Sequence, residues 1–447
     1  MKDFPIKKII KRNGDTADYD RQRIHNAILK ATSSIGTANL GIADKTTEAT
    51  ELALARTYSD KCTPSVEDIQ DVVENVLMLN GHTEIARKYI IYRNQRAMAR
   101  AAKAYQFEIT DNVPYKKIYE VLRWNMEHYC DSVESLNKII SKGKFNNLVA
   151  DVEQRYQDEI AIAAKAILKK IDTTKIIIVA GPSSSGKTTT TIKTSEILKK
   201  HGYGIKAINI DHYFFDLEKH PKDEFGDYDY ETPNALDLDL INNHLVQLLN
   251  GETIKTPHYN FKTGKRQLDV HEMSLEKNEL LLIDSLHGLY EGMTSKVPAE
   301  AKFKLYIETL GQFRMADGTF MRWADNRLLR RMIRDKDHRN LKPMQTLTHW
   351  HYVRRSELNN IIPYIKNVDV IVNSALPYEL PIMRTLLLPY ISKARTKFAQ
   401  DSKRLDAHIR ANRVHTLLKP LKSVKDFSCV PPTSLLREFI GGSSYKY

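Results

Sequence analysis

The sequence predicts an α/β protein, a parallel sheet flanked by helices, preceded by a small and mostly helical N-terminal domain that carries a β-hairpin. Three observations predict it. The run Ile176-Ile177-Ile178-Val179-Ala180 stops at a glycine-bounded turn and is followed by a helical stretch to Lys200, the strand, turn and helix order of parallel α/β units. The same alternation recurs to about residue 400. The first hundred residues differ: Asn13-Gly14 lies between two short β-like runs and helical periodicity follows, and an Asn-Gly pair in that setting signals a hairpin.

In chain order, residues 1–100 form the first predicted domain. From Asp20, apolar residues fall at Ile24, Ala27, Ile28 and Ala31, and from Ser65 at Val66, Ile69, Val72, Val73 and Leu77. Both sets follow helical spacing. Ser65 with Asp68 forms a helix start related to a capping box, with Asp in place of Glu or Gln. Residues 101–170 alternate charged and apolar residues at helical spacing, with turn-prone breaks at Asp111-Asn112-Val113-Pro114 and Ser141-Lys142-Gly143-Lys144, and read as a helical connector. Residues 171–400 form the α/β domain, and 401–447 a C-terminal helical extension and tail.

Composition limits what such a chain does. Its 447 residues, 42% hydrophobic and 28% charged, suit two or three globular domains. No run approaches the roughly 20 apolar residues that span a bilayer. The start, Met1-Lys2-Asp3-Phe4-Pro5, lacks the apolar core of a secretory signal, and Cys62, Cys130 and Cys429 lie far apart without metal-ligand spacing. A cytoplasmic protein without membrane contact is expected. The net charge of +13, from 68 basic and 55 acidic residues, favours polyanionic ligands. Zinc-finger spacing, aromatic RNA-binding motifs and long basic runs are all missing, so nucleotide phosphate is a better candidate than nucleic acid.

The chemistry-bearing motif is Gly181-Pro182-Ser183-Ser184-Ser185-Gly186-Lys187-Thr188, a match to G-x-x-x-x-G-K-[ST]. Its glycines let backbone amides converge on phosphates, Lys187 reaches the β- and γ-phosphates, and the Thr188 hydroxyl binds Mg2+. The helix that begins there, whose next residue Thr189 extends the ATP-contacting stretch, adds its positive end. ATP and Mg2+ are therefore the expected cofactors. The strand Ile208-Asn209-Ile210 delivers Asp211 beyond its carboxyl end, where open α/β sheets bind ligands. There a carboxylate can accept the proton of an attacking hydroxyl, although a turn-capping Asp would look the same. Leu280 to Ile283 ends in Asp284, which fits a carboxylate holding the metal or, more blandly, a helix cap. Asn326 to Asp335 is helical by pattern, with Arg327, Arg331 and Arg334 spaced by four and three and so on one face. They read as a lid of guanidinium groups over transferring phosphates, or as a solvated basic face.

These features in this order resemble the uridine kinase and phosphoribulokinase family of P-loop kinases over roughly residues 172–395. Tyr230 to Asp237, Pro257-His258-Tyr259-Asn260-Phe261 and the helix from Arg327 to Asp335 resemble that family's segments. The resemblance implies that Asp211 is the general base, with Lys187 and Arg334 also catalytic. It implies that Tyr259 stacks on the substrate, and that Arg331, Arg334 and Arg339 contact phosphate or substrate. Thr188 and Asp284 would hold Mg2+. Departures bear on the acceptor: Asn234 stands where uridine-cytidine kinases have an Asp that holds the ribose, and Gly264 where they have a His that reads the pyrimidine. Leu341 replaces a lid arginine, and His349 a substrate-contacting Gln. The tail Pro431 to Gly442 resembles that of a uridine kinase-like branch with an extra N-terminal domain.

Residues 7–100 resemble the ATP-cone, a small regulatory nucleotide-binding domain. The carriers are Ile10-Lys11-Arg12-Asn13-Gly14 and Tyr19-Asp20-Arg21-Gln22-Arg23-Ile24. By that likeness Lys11, Arg12, Arg23 and Arg93 bind the phosphates of a nucleotide effector such as ATP or dATP.

The expected activity is transfer of the γ-phosphoryl group of MgATP to a hydroxyl of a nucleoside-like or related small polyol, by a homo-oligomer. Two alternatives stand. One is a phosphoribulokinase-like kinase of a sugar phosphate, with Lys262, Lys265 and Arg266 beside Tyr259 for the existing phosphate. The other is a nucleotide-sensing regulator without catalysis.

Overall fold

The computed structural model describes residues 1–447 except 1–3, 12–15, 37, 59–62, 105–111, 222–227, 229–231, 262, 339–340, 400, 402–403 and 447, and except the side chains of 94–104 and 338. The chain divides into two compact units, Met1–Ile109 and Thr110–Tyr447.

In the first unit, β1 (Lys8–Ile10) pairs antiparallel with β2 (Thr16–Asp18), Ile9 opposite Ala17. The Asn13-Gly14 turn between them lies outside the described residues. Helices α1 (Arg21–Ser33), α2 (Leu40–Thr57), α3 (Val66–Leu79) and α4 (Thr83–Ala104) follow. Asp20 caps α1 by accepting the Gln22 amide. The Ser65/Asp68 capping box forms in full at α3, so two orphan amides of that helix start are satisfied locally. Ile24, Ile28, Leu54, Ile69, Val73, Leu77 and Tyr89 form the core beneath the hairpin's Ile9. The Ile10 amide donates to the Pro64 carbonyl at 3.0 Å and ties the hairpin to the start of α3.

The second unit opens with α5 (Tyr115–Glu127), α6 (Val133–Ser141) and α7 (Phe145–Lys169). On α7 the buried positions include Leu148, Val149, Val152, Tyr156, Ile160, Ala163 and Ile167, a stripe at helical spacing that must be covered. It packs into the same core as the sheet. The stretch expected to be a connector is thus, from Thr110 onward, part of this unit.

The sheet holds β3 (Ile176–Ala180), β4 (Gly204–Ile208), β7 (Glu279–Ser285), β8 (Lys302–Glu308) and β9 (Val370–Asn373), all parallel in the order β4-β7-β3-β8-β9. β5 (Ile254–Asn260) and β6 (Lys265–Met273) form a separate antiparallel hairpin. Around them run α8 (Lys187–Lys200), α9 (Leu238–Leu249), α10 (Trp323–His338), α11 (Pro343–Asn360), α12 (Glu379–Phe398), α13 (Leu405–Leu418) and α14 (Arg437–Ile440). The central strand β3 is buried along its whole length, as a parallel strand covered on both faces must be. No helix among the described residues is long and apolar enough to cross a membrane.

A phosphate-binding cleft at the carboxyl edge of the sheet

Strand β3 ends at the centre of the sheet, and residues 181–186 carry the chain from it into α8. Two residues of this loop hold the left-handed conformation, Ser184 at φ 62° and Gly186 at φ 87°. Glycine is required at 186 for space as well, since a Cβ there would lie 2.3 Å from Cδ1 of Leu435. The loop walls a cleft of about 560 Å³ through Ser183, Ser184, Lys187 and Thr188, with Asp211, Phe214, Asp284, His287, Arg331 and Arg334 also lining it. That is room enough for a small ligand.

The polar groups converge there. The Lys187 ammonium donates to the Gly181 carbonyl at 3.0 Å, and Arg331 donates to the Ser183 hydroxyl at 3.1 Å. The hydroxyls of Ser184 and Ser185 are buried without a hydrogen-bond partner. A buried polar group in that state is costly unless something binds it, and an anion cradled by the loop would. β4 ends at Ile208, so Asp211 rides on the 3₁₀ turn Ile210–Tyr213 rather than on the strand itself. Its amide is fixed by Asn209 Oδ1 at 3.0 Å. The Asp211 side chain keeps a face open to the cleft, yet the concave wall around it strips much of its longer-range water. That desolvation pushes its carboxyl up, opposed by the positive charge of Lys187 and His212. Asp284, opposite Val179 of β3, is raised by burial too. Lys187 draws it down, whereas Glu438 and Asp211 push it further up. Lys187 therefore stands in the field of both carboxylates.

Thr188 and Asp284 are suited to a Mg2+ ion that keeps most of its shell from phosphate and water, the usual habit of this cation. Among the described residues no cluster of three His, Cys, Asp or Glu side chains could hold a metal alone.

Several expected residues lie elsewhere. Thr189 is fully buried; its hydroxyl donates to Glu438 Oε2 at 2.7 Å and its amide to the same oxygen at 3.3 Å, so both groups face a carboxylate and not the cleft. Tyr259 is 1% exposed and does not line the cleft. Burial along β5 falls on Ile254, Pro257 and Tyr259, which turns the ring into a nest with Phe214, His220 and Phe261. Phe214 lines the cleft. Asn234 is exposed on the 3₁₀ turn Pro233–Ala235, and its neighbour Leu236 lines the cleft instead. Pro182 and Ser185 are buried within the loop. Arg339 lies outside the described residues.

The arginines of α10 also divide. Arg331 and Arg334 reach the cleft, but Arg327 is 1% exposed. Its guanidinium pairs with Glu308 at 2.9 Å and with both oxygens of Glu357, and reaches the Ser183 carbonyl at 3.4 Å. It braces the loop from inside and is no part of an open lid. Arg330 is likewise buried in a bidentate pair with Glu379.

The first unit has a cavity of about 430 Å³, lined by Lys11, Tyr19, Asp20, Arg23, Ile24, Gln70 and Tyr89 among others. Arg12 lies outside the described residues. Arg93 does not line the cavity; it pairs with Asp71 at 2.6 Å and Glu74 at 2.8 Å.

Sequence reasoning missed Phe214, His287 and Glu438. His287 alone left a local signal, three residues past Asp284 at a strand end; Glu438 comes from the far end of the chain.

The fold and the cleft at its carboxyl edge are those of a P-loop kinase, a phosphotransferase acting on a hydroxyl acceptor. Comparison with known families agrees: residues 7–98 match the ATP cone domain, and residues 176–379 match the phosphoribulokinase/uridine kinase family. The chain thus joins an ATP cone to a domain of the phosphoribulokinase/uridine kinase family. A uridine kinase of Deinococcus deserti is 28% identical over 198 residues, 44% of this chain and 86% of that protein. One of Staphylococcus haemolyticus is 27% identical over 224 residues, 49% of this chain and 98% of its own. A solved structure described as a possible uridine kinase from Bacillus stearothermophilus is 17% identical, covering 49% of this chain and 100% of its own, with a TM-score of 0.34.

Proposed function

We propose that the second unit binds MgATP in the 181–188 loop and transfers its γ-phosphoryl group to a hydroxyl of a nucleoside or related small polyol. The observation that carries this reading is that Asp211 and Lys187 line one and the same cleft. A loop that only binds and switches has no use for a proton acceptor beside the terminal phosphate. In this reading the loop amides and Lys187 hold the phosphates, and Arg331 and Arg334 supply positive charge where it develops in the transition state. Asp211 takes the proton of the attacking hydroxyl. Thr188 and Asp284 would hold Mg2+, which when bound neutralises charge on the β- and γ-phosphates.

The side chains near the acceptor end favour an unphosphorylated acceptor over a sugar phosphate. Lys265 is paired with Glu218 at 2.8 Å, and Arg266 with Asp237 at 2.9 Å, so neither of these two charges stands ready for a second phosphate; Lys262 lies outside the described residues. Gly264, where pyrimidine-reading kinases have a histidine, turns the β5–β6 hairpin at φ 68°, and a Cβ there would come within 2.8 Å of Leu217. A histidine does not fit that turn, so the acceptor need not be uridine even though the curated relatives carry that name. For the first unit, Lys11 and Arg23 in the lining of a largely apolar cavity support a nucleotide effector such as ATP or dATP.

The test is a labelled-ATP assay over a panel of nucleosides and sugars with the full chain. Transfer to at least one acceptor is expected, lost in Lys187→Ala and in Asp211→Asn. Slow ATP hydrolysis alone, indifferent to Asp211→Asn, overturns the reading.

A further inference from the structure

The segment Val430 to Tyr445 is bound to the phosphate-binding helix. Val430, Ser434, Leu435, Leu436 and Phe439 are fully buried. The Ser434 hydroxyl donates to buried Glu153 at 2.6 Å, and the Arg330 guanidinium lies 5.4 Å from the Phe439 ring. At the far end, the Tyr445 hydroxyl reaches Glu196 of α8 at 3.3 Å. Between these anchors, Leu435 presses on Gly186 of the loop, and Glu438 accepts both the hydroxyl and the amide of Thr189. Thr189 is the residue next to Thr188 in the first turn of α8, whose amides have no partner within the helix.

We propose that Glu438 is a positioning residue of the ATP site and that the C-terminal segment completes the phosphate-binding loop. The inference rests on the reading that this loop binds MgATP. A carboxylate at a helix start makes a charge-assisted bond in the favourable field of the helix. Here it fixes the turn that aims the Thr188 hydroxyl, while Leu435 holds Gly186 in its left-handed conformation. The phosphates are left with the amides ahead of Thr189. Glu438 could instead be read as a competitor for the same helix end, since it takes an amide and a hydroxyl of the first turn. Withdrawing it, however, means extracting the fully buried Leu435, Leu436 and Phe439 from the core, which burial of apolar surface opposes. The segment is a fixed wall and not a plug.

The experiment uses the full chain and measures KM for ATP and for the acceptor, with melting temperature as a check on folding. Glu438→Ala should raise the ATP KM by roughly tenfold or more, the scale of a lost hydrogen bond to a charged group, and leave the acceptor KM unchanged. Glu438→Gln, which keeps an oxygen for the Thr189 donors, should recover most of that loss, and Thr189→Val should reproduce part of it. If the alanine variant does not fold, the glutamine and valine variants carry the test. An unchanged ATP KM overturns the proposal, as does a glutamine variant no better than alanine. A lower ATP KM in Glu438→Ala also overturns it and makes the carboxylate a competitor. Lys187→Ala separates the two levels: if it keeps full ATP use, the ATP-site reading itself fails, whatever Glu438 does.

Discussion

Asp211 carries opposed demands, because a general base must be ionised while the wall of the cleft penalises its charge. Its folded carboxyl lies above the ordinary aspartate range, so the native state holds its proton more tightly than the unfolded chain. Stability from that proton is present below the unfolded value and is lost as pH rises through the folded one. Asp211→Asn should therefore raise the melting temperature at neutral pH, with the gain fading in acid, while transfer falls by about 10²–10⁴-fold. In the parent enzyme, activity should decline on the acid side at a pH above that of an ordinary aspartate. A pH-rate profile with paired melting curves checks both signs. Arg327 and Arg331 show how far spacing alone can be read. Helical periodicity put both on one face, but it could not reveal that Glu308 of β8 and Glu357 of α11 wait beside one of them. Breaking a buried pair costs about 3–5 kcal/mol, so Arg327→Ala should sharply lower the melting temperature. Arg331→Ala should reduce transfer with little change in melting.

At the scale of elements, the strand, loop and helix from Ile176 to Lys200 were legible because the information is local: an apolar run, two glycines, then helical spacing. So were the hairpin and the helix starts at Asp20 and Ser65. The β5–β6 hairpin was legible as chain but not as orientation. Residue 259 takes the inward side of an alternation that a bulge between Thr256 and His258 shifts, and a one-residue shift exchanges the faces of a strand. Tyr259 consequently packs among aromatic rings instead of meeting the acceptor. Tyr259→Leu keeps an apolar occupant of that nest, and the acceptor KM should stay within about twofold while denaturant stability falls by roughly 1–3 kcal/mol. A rise in acceptor KM without loss of stability would return the ring to the substrate.

At the scale of the whole molecule, what stayed hidden is what depends on distant partners. β7 and β8 flank the phosphate-binding strand, yet their neighbours are set by crossovers that no local pattern records. The C-terminal segment reads only as a helical extension and tail until Leu435 and Glu438 are seen against the loop some 250 residues earlier. The two-unit division adds a second consequence. Each unit has its own cavity with basic residues at its wall, Lys11 and Arg23 in one and Lys187, Arg331 and Arg334 in the other, and the net charge of +13 draws anions to both. The full chain should therefore bind two ATP molecules. Lys11→Ala combined with Arg23→Ala should remove one equivalent while leaving transfer at saturating ATP, and Lys187→Ala should remove the other along with transfer. Calorimetric titration of the three proteins counts the sites. If the cone variant still binds two equivalents, Lys11 and Arg23 do not hold a nucleotide; if the parent chain binds only one, lost in Lys187→Ala, the first unit keeps the fold of a nucleotide sensor without the ligand.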